Sequence, residues 1–141
     1  MTSSDPDRPA ATPPAADAPA RAFAKSRNDI GRLVRAMVYS WQGVRAAWRH
    51  EAAFRLEVML GLPLLAVAAW AAPGRWHALA LGLSVLAVWI VELLNSAVEA
   101  LADAVSVERH PLIGRAKDMA SAAVTFSLLA LVLTWGVVFW P

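Results

Sequence analysis

Three stretches of this sequence are too long and too apolar to be core helices of a small soluble domain, and they constrain everything else. The first runs from Ala52 to Ala72, with Arg55 and Glu57 near its start and Pro63 inside it. The second runs from His77 to about Val105 and carries Glu92, Asn95, Glu99 and Asp103. The third runs from Met119 to Trp140 without a charge. At a rise of about 1.5 Å per residue, each is long enough to cross roughly 30 Å of hydrocarbon. Charged residues make up 17% of the chain, against about 25% in an ordinary soluble domain. The sequence therefore predicts an all-α integral membrane protein, with transmembrane helices at about 52–72, 77–105 and 115–140. It holds no cysteine, which excludes disulfides, thiolate metal sites and a cysteine nucleophile.

The chain before these spans divides in two. Residues 1–20 carry Pro6, Pro9, Pro13, Pro14 and Pro19 among alanines, with Asp5, Asp7 and Asp17 between them. That density of proline opposes helix and offers nothing to bury, so a disordered Pro/Ala-rich tail is expected there. No basic start is followed by an apolar run, as a signal peptide would require. From about 28 to 50, by contrast, Ile30, Leu33, Val34, Met37, Val38, Trp41, Val44 and Trp48 recur at three- and four-residue spacing. Arg32, Arg35, Gln42, Arg45 and Arg49 fall largely on the other side, with Asn28 or Asp29 as the N-cap. An amphipathic helix of this kind, with no soluble core to pack on, suits the membrane surface.

Basic residues orient the spans. Eight Arg/Lys lie in residues 21–55 against Asp29 and Glu51, and the connection from Ser106 to Asp118 adds Arg109, Arg115 and Lys117. The turn Pro73-Gly74-Arg75-Trp76 offers one arginine. Positive charge stays inside, so the N-terminus and the second connection are expected in the cytoplasm and the C-terminus outside. Trp70, Trp76, Trp135 and Trp140 then gather at the outer interface, where aromatic residues belong.

The chemistry is expected in the second span. At about 100° per residue, Glu92, Ser96, Glu99 and Asp103 share one narrow stripe, bordered by Asn95. Carboxylates do not persist facing lipid, because each costs several kcal/mol there. Interhelical hydrogen bonding alone would need fewer of them. The stripe runs toward Glu108, His110, Lys117 and Asp118, and carboxylates beside a lysine suit a divalent cation with a phosphate.

Other chemistries fit less well. The seven glycines are scattered, so neither a P-loop nor a dinucleotide fingerprint is present. His50, His77 and His110 are not at zinc spacing, no hydrolase triad is legible, and the arginines read as headgroup contacts and not nucleic-acid contacts. A transporter or proton relay using Glu92, Glu99 and Asp103 is the competing class. It would need a polar path to both faces, whereas Trp89, Leu86 and Leu83 follow Glu92 toward the outer side.

Three motifs carry a resemblance. Glu92-Leu93-Leu94-Asn95-Ser96-Ala97-Val98-Glu99-Ala100 with Asp103 is one, and Gly114-Arg115-Ala116-Lys117-Asp118-Met119-Ala120-Ser121-Ala122-Ala123 is another. The third is Tyr39-Ser40-Trp41-Gln42-Gly43-Val44-Arg45-Ala46-Ala47-Trp48 leading into Glu51-Ala52-Ala53-Phe54-Arg55. Over roughly residues 28–141 the chain resembles the prokaryotic integral-membrane diacylglycerol kinases. The resemblance implies a homotrimeric bundle of three-helix subunits, each with an N-terminal amphipathic surface helix, in the bacterial inner membrane. It implies transfer of the γ-phosphate of MgATP to diacylglycerol at sites shared between subunits.

Residue by residue, the resemblance makes Glu92 the proton acceptor, with Asn95 and Lys117 beside it in the chemistry and Asp103 in support. Glu51 and Glu99 match the metal-binding carboxylates for Mg²⁺. Together with them, Arg32, Tyr39, Glu108, Arg109, His110, Lys117 and Asp118 match positions around ATP. Arg32, Tyr39, Trp48, Phe54, Arg55, Glu92 and Ser121 match positions near the lipid. Relatives in the family phosphorylate undecaprenol instead, but the stretch from Glu51 to Arg55 looks more like the diacylglycerol branch. Two departures stand out: Pro111 is expected to stiffen the nucleotide-facing turn, and Leu56 sits where a polar residue is expected.

Overall fold

A computed structural model describes residues 29–105 and 110–140; the tail expected at 1–20 and the N-cap candidate Asn28 lie outside the described residues. The described chain is four helices: α1 (Asp29–His50), α2 (Ala52–Ala71), α3 (Arg75–Val105) and α4 (Pro111–Phe139). Three of them, α2, α3 and α4, are long and apolar enough to cross a membrane. The expected all-helical fold with three membrane spans is what forms.

Two boundaries differ from the sequence reading, each for a local reason. Helix α3 starts at Arg75 instead of His77, so the connection after α2 shortens to a few residues around Pro73 and Gly74. Helix α4 starts at Pro111, four residues before the expected 115. Proline at the first helical position loses no hydrogen bond, and its fixed φ suits the first turn. His110 precedes it in extended conformation, and its side chain accepts a hydrogen bond from the Leu112 amide. Pro111 thus opens α4.

Helix α3 is the centre of the chain, packing on α2 and α4, while among the described residues α1 touches α2 and α3. Its buried side chains include Leu81, Val85 and Val88 toward one end and Glu92 and Ser96 farther along. Two side-chain contacts fix the antiparallel register of α3 and α4. Trp135 Nε1 donates to Ser84 Oγ at 3.2 Å, and Lys117 Nζ meets Asp103 Oδ1 at 3.1 Å. Ser84 and Asp103 are about 28 Å apart along the helix axis, so the pair is pinned near both ends.

The α2–α3 contact is closer. A Cβ on Gly61 would lie 2.7 Å from Trp89 Cζ2 and 2.9 Å from Val85 Cγ1, so only glycine allows this approach. One turn away, Trp89 Nε1 donates to the backbone carbonyl of Glu57 at 3.1 Å. Pro63 lies two residues beyond Gly61 and leaves the Met59 carbonyl without its helical donor.

Apolar side chains face outward over most of the molecule. Helix α4 has no buried residue, and on α1 only Ala47 is buried. Contact with water would make so large an apolar surface unstable; hydrocarbon removes the penalty.

Candidate active site

The α1–α2 corner and the half of α3 that runs from Leu93 to its C-terminal end frame one concavity. A cavity of about 560 Å³ lies between them, lined by Ser40, Gly43, Ala47, His50 and Glu51 on one side and Leu93, Ser96, Ala97 and Ala100 on the other. That volume lies in the range of ligand sites. Small side chains make the space: wherever α1 and α3 face each other, the residues are mostly Gly, Ala or Ser.

Among the described residues Glu92 is the most buried acid, 3% exposed. Glu51 and Glu99 lie within electrostatic reach of it. Glu51 occupies the extended residue between α1 and α2 and makes no side-chain capping hydrogen bond, so its carboxylate is not used by the helix it precedes. Glu99 is half-buried, and its Oε1 accepts from Asn95 Nδ2 at 3.3 Å. Asn95 therefore orients Glu99, the residue one turn along its own helix.

The acidic stripe grades from inside to outside. Glu92 and Ser96 are buried, Glu99 is half-buried, and the Asp103 side chain is 74% exposed. Asp103 pairs with Lys117, whose side chain is 38% exposed. An ion pair this open contributes little to stability, so Asp103→Asn should change unfolding free energy by no more than about 0.5 kcal/mol, measured by chemical denaturation in detergent. Lys117 stands level with Asp103, about 16 Å along the α3 axis from Glu92 and nearer Glu99.

Among the described residues three buried polar atoms lack a hydrogen-bond partner: Glu57 Oε2, Asn95 Oδ1 and Ser96 Oγ. Buried polar atoms are nearly always partnered, so these three mark where something else belongs. They surround Glu92 along α3 and across from it on α2, where Glu57 lies within electrostatic reach of Glu92. Glu57 is the functional candidate that the motif reading missed. The signal was present, since an acid within an apolar span is itself informative.

The other sequence candidates spread around this centre. Tyr39 and Trp48 are exposed on α1. Arg32 is exposed on the same helix. His110 uses Nδ1 to cap α4, at 3.3 Å from the Leu112 amide, leaving Nε2 for any other partner. Asp118 and Ser121 are exposed on α4. Glu108 and Arg109 lie outside the described residues. Phe54 is 4% exposed, a side chain of the core. Arg55 directs its guanidinium to the end of α1, with Nη1 donating to the carbonyls of Trp48 and Arg49. Leu56 is exposed on the α2 surface.

Among the described residues no three acidic or histidine side chains converge into a ready metal cage. Glu51 and Glu99 nonetheless suit Mg²⁺, which keeps waters and takes phosphate oxygens, needing only one or two carboxylates from protein. Neither carboxylate is committed to an ion pair in the described contacts.

Comparison with known proteins follows the same lines. Residues 38–139 match the family model described as prokaryotic diacylglycerol kinase. The diacylglycerol kinase of Escherichia coli (strain K12) is 44% identical over 118 residues, covering 84% of this chain and 97% of that protein. The Pseudomonas aeruginosa diacylglycerol kinase is 45% identical over 115 residues, covering 81% of this chain and 93% of that one. The Haemophilus influenzae diacylglycerol kinase is 38% identical over 107 residues, covering 76% and 91%. The matched region takes in α2, α3, α4 and the part of α1 that holds Tyr39 and Trp48, and with them Glu51, Glu92 and Glu99. This membrane protein belongs to the prokaryotic diacylglycerol kinase family.

Proposed function

We propose that the chain transfers the γ-phosphate of ATP to the free hydroxyl of diacylglycerol, giving phosphatidic acid and ADP. The observation that carries this reading is Glu92, a buried carboxylate in a membrane helix beside a cavity that also holds Glu51. Glu92 accepts the proton as the hydroxyl oxygen forms its bond to the γ-phosphorus and the bond to the departing ADP oxygen breaks. Glu51 and Glu99 hold Mg²⁺, which when bound supplies charge neutralisation for the phosphates. Asn95 keeps Glu99 oriented, and Lys117, level with Asp103, offers its charge to the nucleotide. His110, Arg109, Glu108, Asp118, Arg32 and Tyr39 complete the nucleotide surroundings. Trp48 and Ser121 lie toward the lipid.

The same reading places the protein in the bacterial inner membrane, with the N-terminus cytoplasmic and the C-terminus outside. A homotrimer is supported by the unpartnered Glu57, Asn95 and Ser96 atoms and by an α4 that buries nothing in its own subunit. A neighbouring subunit would cover both. Accessibility labelling checks the orientation: a cysteine at Gly74 should react only from outside, and one at His110 only from the cytoplasm. A cytoplasmic Gly74 would reverse the site relative to ATP and defeat the proposal.

The deciding assay offers diacylglycerol and undecaprenol in parallel to the purified protein in mixed micelles with labelled ATP. Phosphate transfer to diacylglycerol, at least tenfold faster than to undecaprenol, is the expected result. Equal or reversed preference would move the substrate to the polyprenol, and no transfer to either would remove the kinase reading.

A further inference from the structure

Helix α1 ends with four carbonyls that have no helical donor, those of Ala47, Trp48, Arg49 and His50. The Glu51 amide supplies the first, bonding to Ala47 O at 2.8 Å. The next two are taken from another helix. Arg55, on the opening turn of α2, donates through Nη1 to Trp48 O at 3.1 Å and to Arg49 O at 3.4 Å. Its own amide bonds to Glu51 O at 3.4 Å. Arg55 therefore grips the corner from both sides, with its backbone on Glu51 and its side chain on the last turn of α1. A cation at a helix C-terminus also complements the negative end of the helix dipole.

Among the described residues α1 has few other contacts with α2 and α3. It buries only Ala47, and a cavity of about 560 Å³ separates much of it from α3. The bend at Glu51 thus depends on a few hydrogen bonds, of which Arg55 supplies the cross-helix ones. Glu51 sits at that bend in extended conformation with its carboxylate uncommitted to capping. Any change in the angle between α1 and α2 moves this carboxylate relative to Glu99 on α3.

We propose that Arg55 is a positioning residue: its guanidinium caps the end of α1 and fixes the corner from which Glu51 presents its carboxylate to the magnesium-bound nucleotide. The proposal rests on the reading of Glu51 as a metal ligand. It departs from the expectation that Arg55 serves the lipid, because the guanidinium is directed at α1 carbonyls.

The test uses the natural absence of cysteine. Spin labels at Gln42→Cys on α1 and Ala66→Cys on α2, in full-length chain diluted with unlabelled chain, report the α1–α2 distance without nucleotide. Arg55→Met keeps the aliphatic stem and removes the donors. It should broaden the distance distribution and raise the KM for MgATP roughly fivefold, about the worth of one net hydrogen bond, with the diacylglycerol KM changed less than twofold. Arg55→Lys, which keeps charge and a donor, should recover most of the parent distribution. It also serves as the test variant if Arg55→Met does not assemble, with a distribution between those of the parent and a label pair in detergent-unfolded chain.

An unchanged distance distribution in Arg55→Met, or a raised diacylglycerol KM with the MgATP KM intact, overturns the proposal. Glu51→Gln separates the clamp from the metal ligand. It should raise the MgATP KM while leaving the distance distribution alone. An unaltered MgATP KM in that variant faults the reading of Glu51, whereas a broadened α1–α2 distribution in Arg55→Met would still establish the clamp.

Discussion

Glu92→Gln is expected to assemble and bind MgATP close to normally, while turnover falls by roughly two or more orders of magnitude, the range for losing a general base. Glutamine keeps the size of the side chain and most of its hydrogen bonding, so the loss falls on proton transfer. Glu99→Gln is the informative contrast. It removes the charge of the carboxylate that Asn95 orients and that is proposed to hold Mg²⁺, so it should raise the MgATP KM, and added Mg²⁺ should recover part of the activity. Added Mg²⁺ should do nothing for Glu92→Gln. Seven residues separate the two acids, about 10 Å along α3, which puts them at different ends of the transferring group. Steady-state kinetics across a magnesium series, with nucleotide binding measured separately, decides the matter. Normal turnover in Glu92→Gln would remove it as the base, and equal, metal-recoverable defects in both would merge the two roles.

Gly61→Leu should prevent stable packing of α2 on α3, the largest stability effect expected outside the acids. Even the Cβ of alanine would stand 2.7 Å from the Trp89 ring and 2.9 Å from Val85 Cγ1. The ring is poorly placed to yield, because its Nε1 is tied to the Glu57 carbonyl. Gly61→Ala should therefore cost about 1–3 kcal/mol through overpacking, and Gly61→Leu more. Gly82→Ala supplies the control, since its Cβ would meet only Leu65 Cδ2 at an ordinary 3.8 Å. Thermal unfolding followed by circular dichroism in detergent should rank the variants Gly82→Ala, Gly61→Ala, Gly61→Leu in falling stability. A Gly61→Leu protein as stable as the parent would mean that α2 and α3 do not approach so closely.

The three membrane helices were legible because the signal for a span is additive: each apolar residue from Met119 to Trp140 adds to the same transfer free energy. The α3 stripe was legible because Glu92, Ser96 and Glu99 repeat at the helical period. Glu57 was harder to read, since its partner surface lies on another helix and nothing in α2 repeats with it. Packing between helices leaves no period in either sequence. The same limit applies to Gly61, whose meaning comes from Trp89, and to Arg55, whose side chain turns back to the end of α1. Asp103 fits the stripe by angle yet lies open beside Lys117, because periodicity assigns a face but not the point along the axis where packing on that face ends. The start of α4 was written in the His110-Pro111 pair, whose capping meaning was available in the sequence.

Helix α2 has 20 residues, whereas α3 has 31 and α4 has 29. At about 1.5 Å per residue, α2 alone is no longer than a hydrocarbon layer of roughly 30 Å is thick, and the others have more than 10 Å to spare. The thickness of the host bilayer is thus felt first by the short helix, and Glu51 sits at its end. In lipids with long acyl chains the adjustment must be made by thinning the membrane locally or by drawing that carboxylate toward the hydrocarbon. In short-chain lipids α2 can tilt, and the corner moves sideways. Catalysis by this chain should therefore peak at one bilayer thickness, making the shortest helix a gauge of the membrane around it.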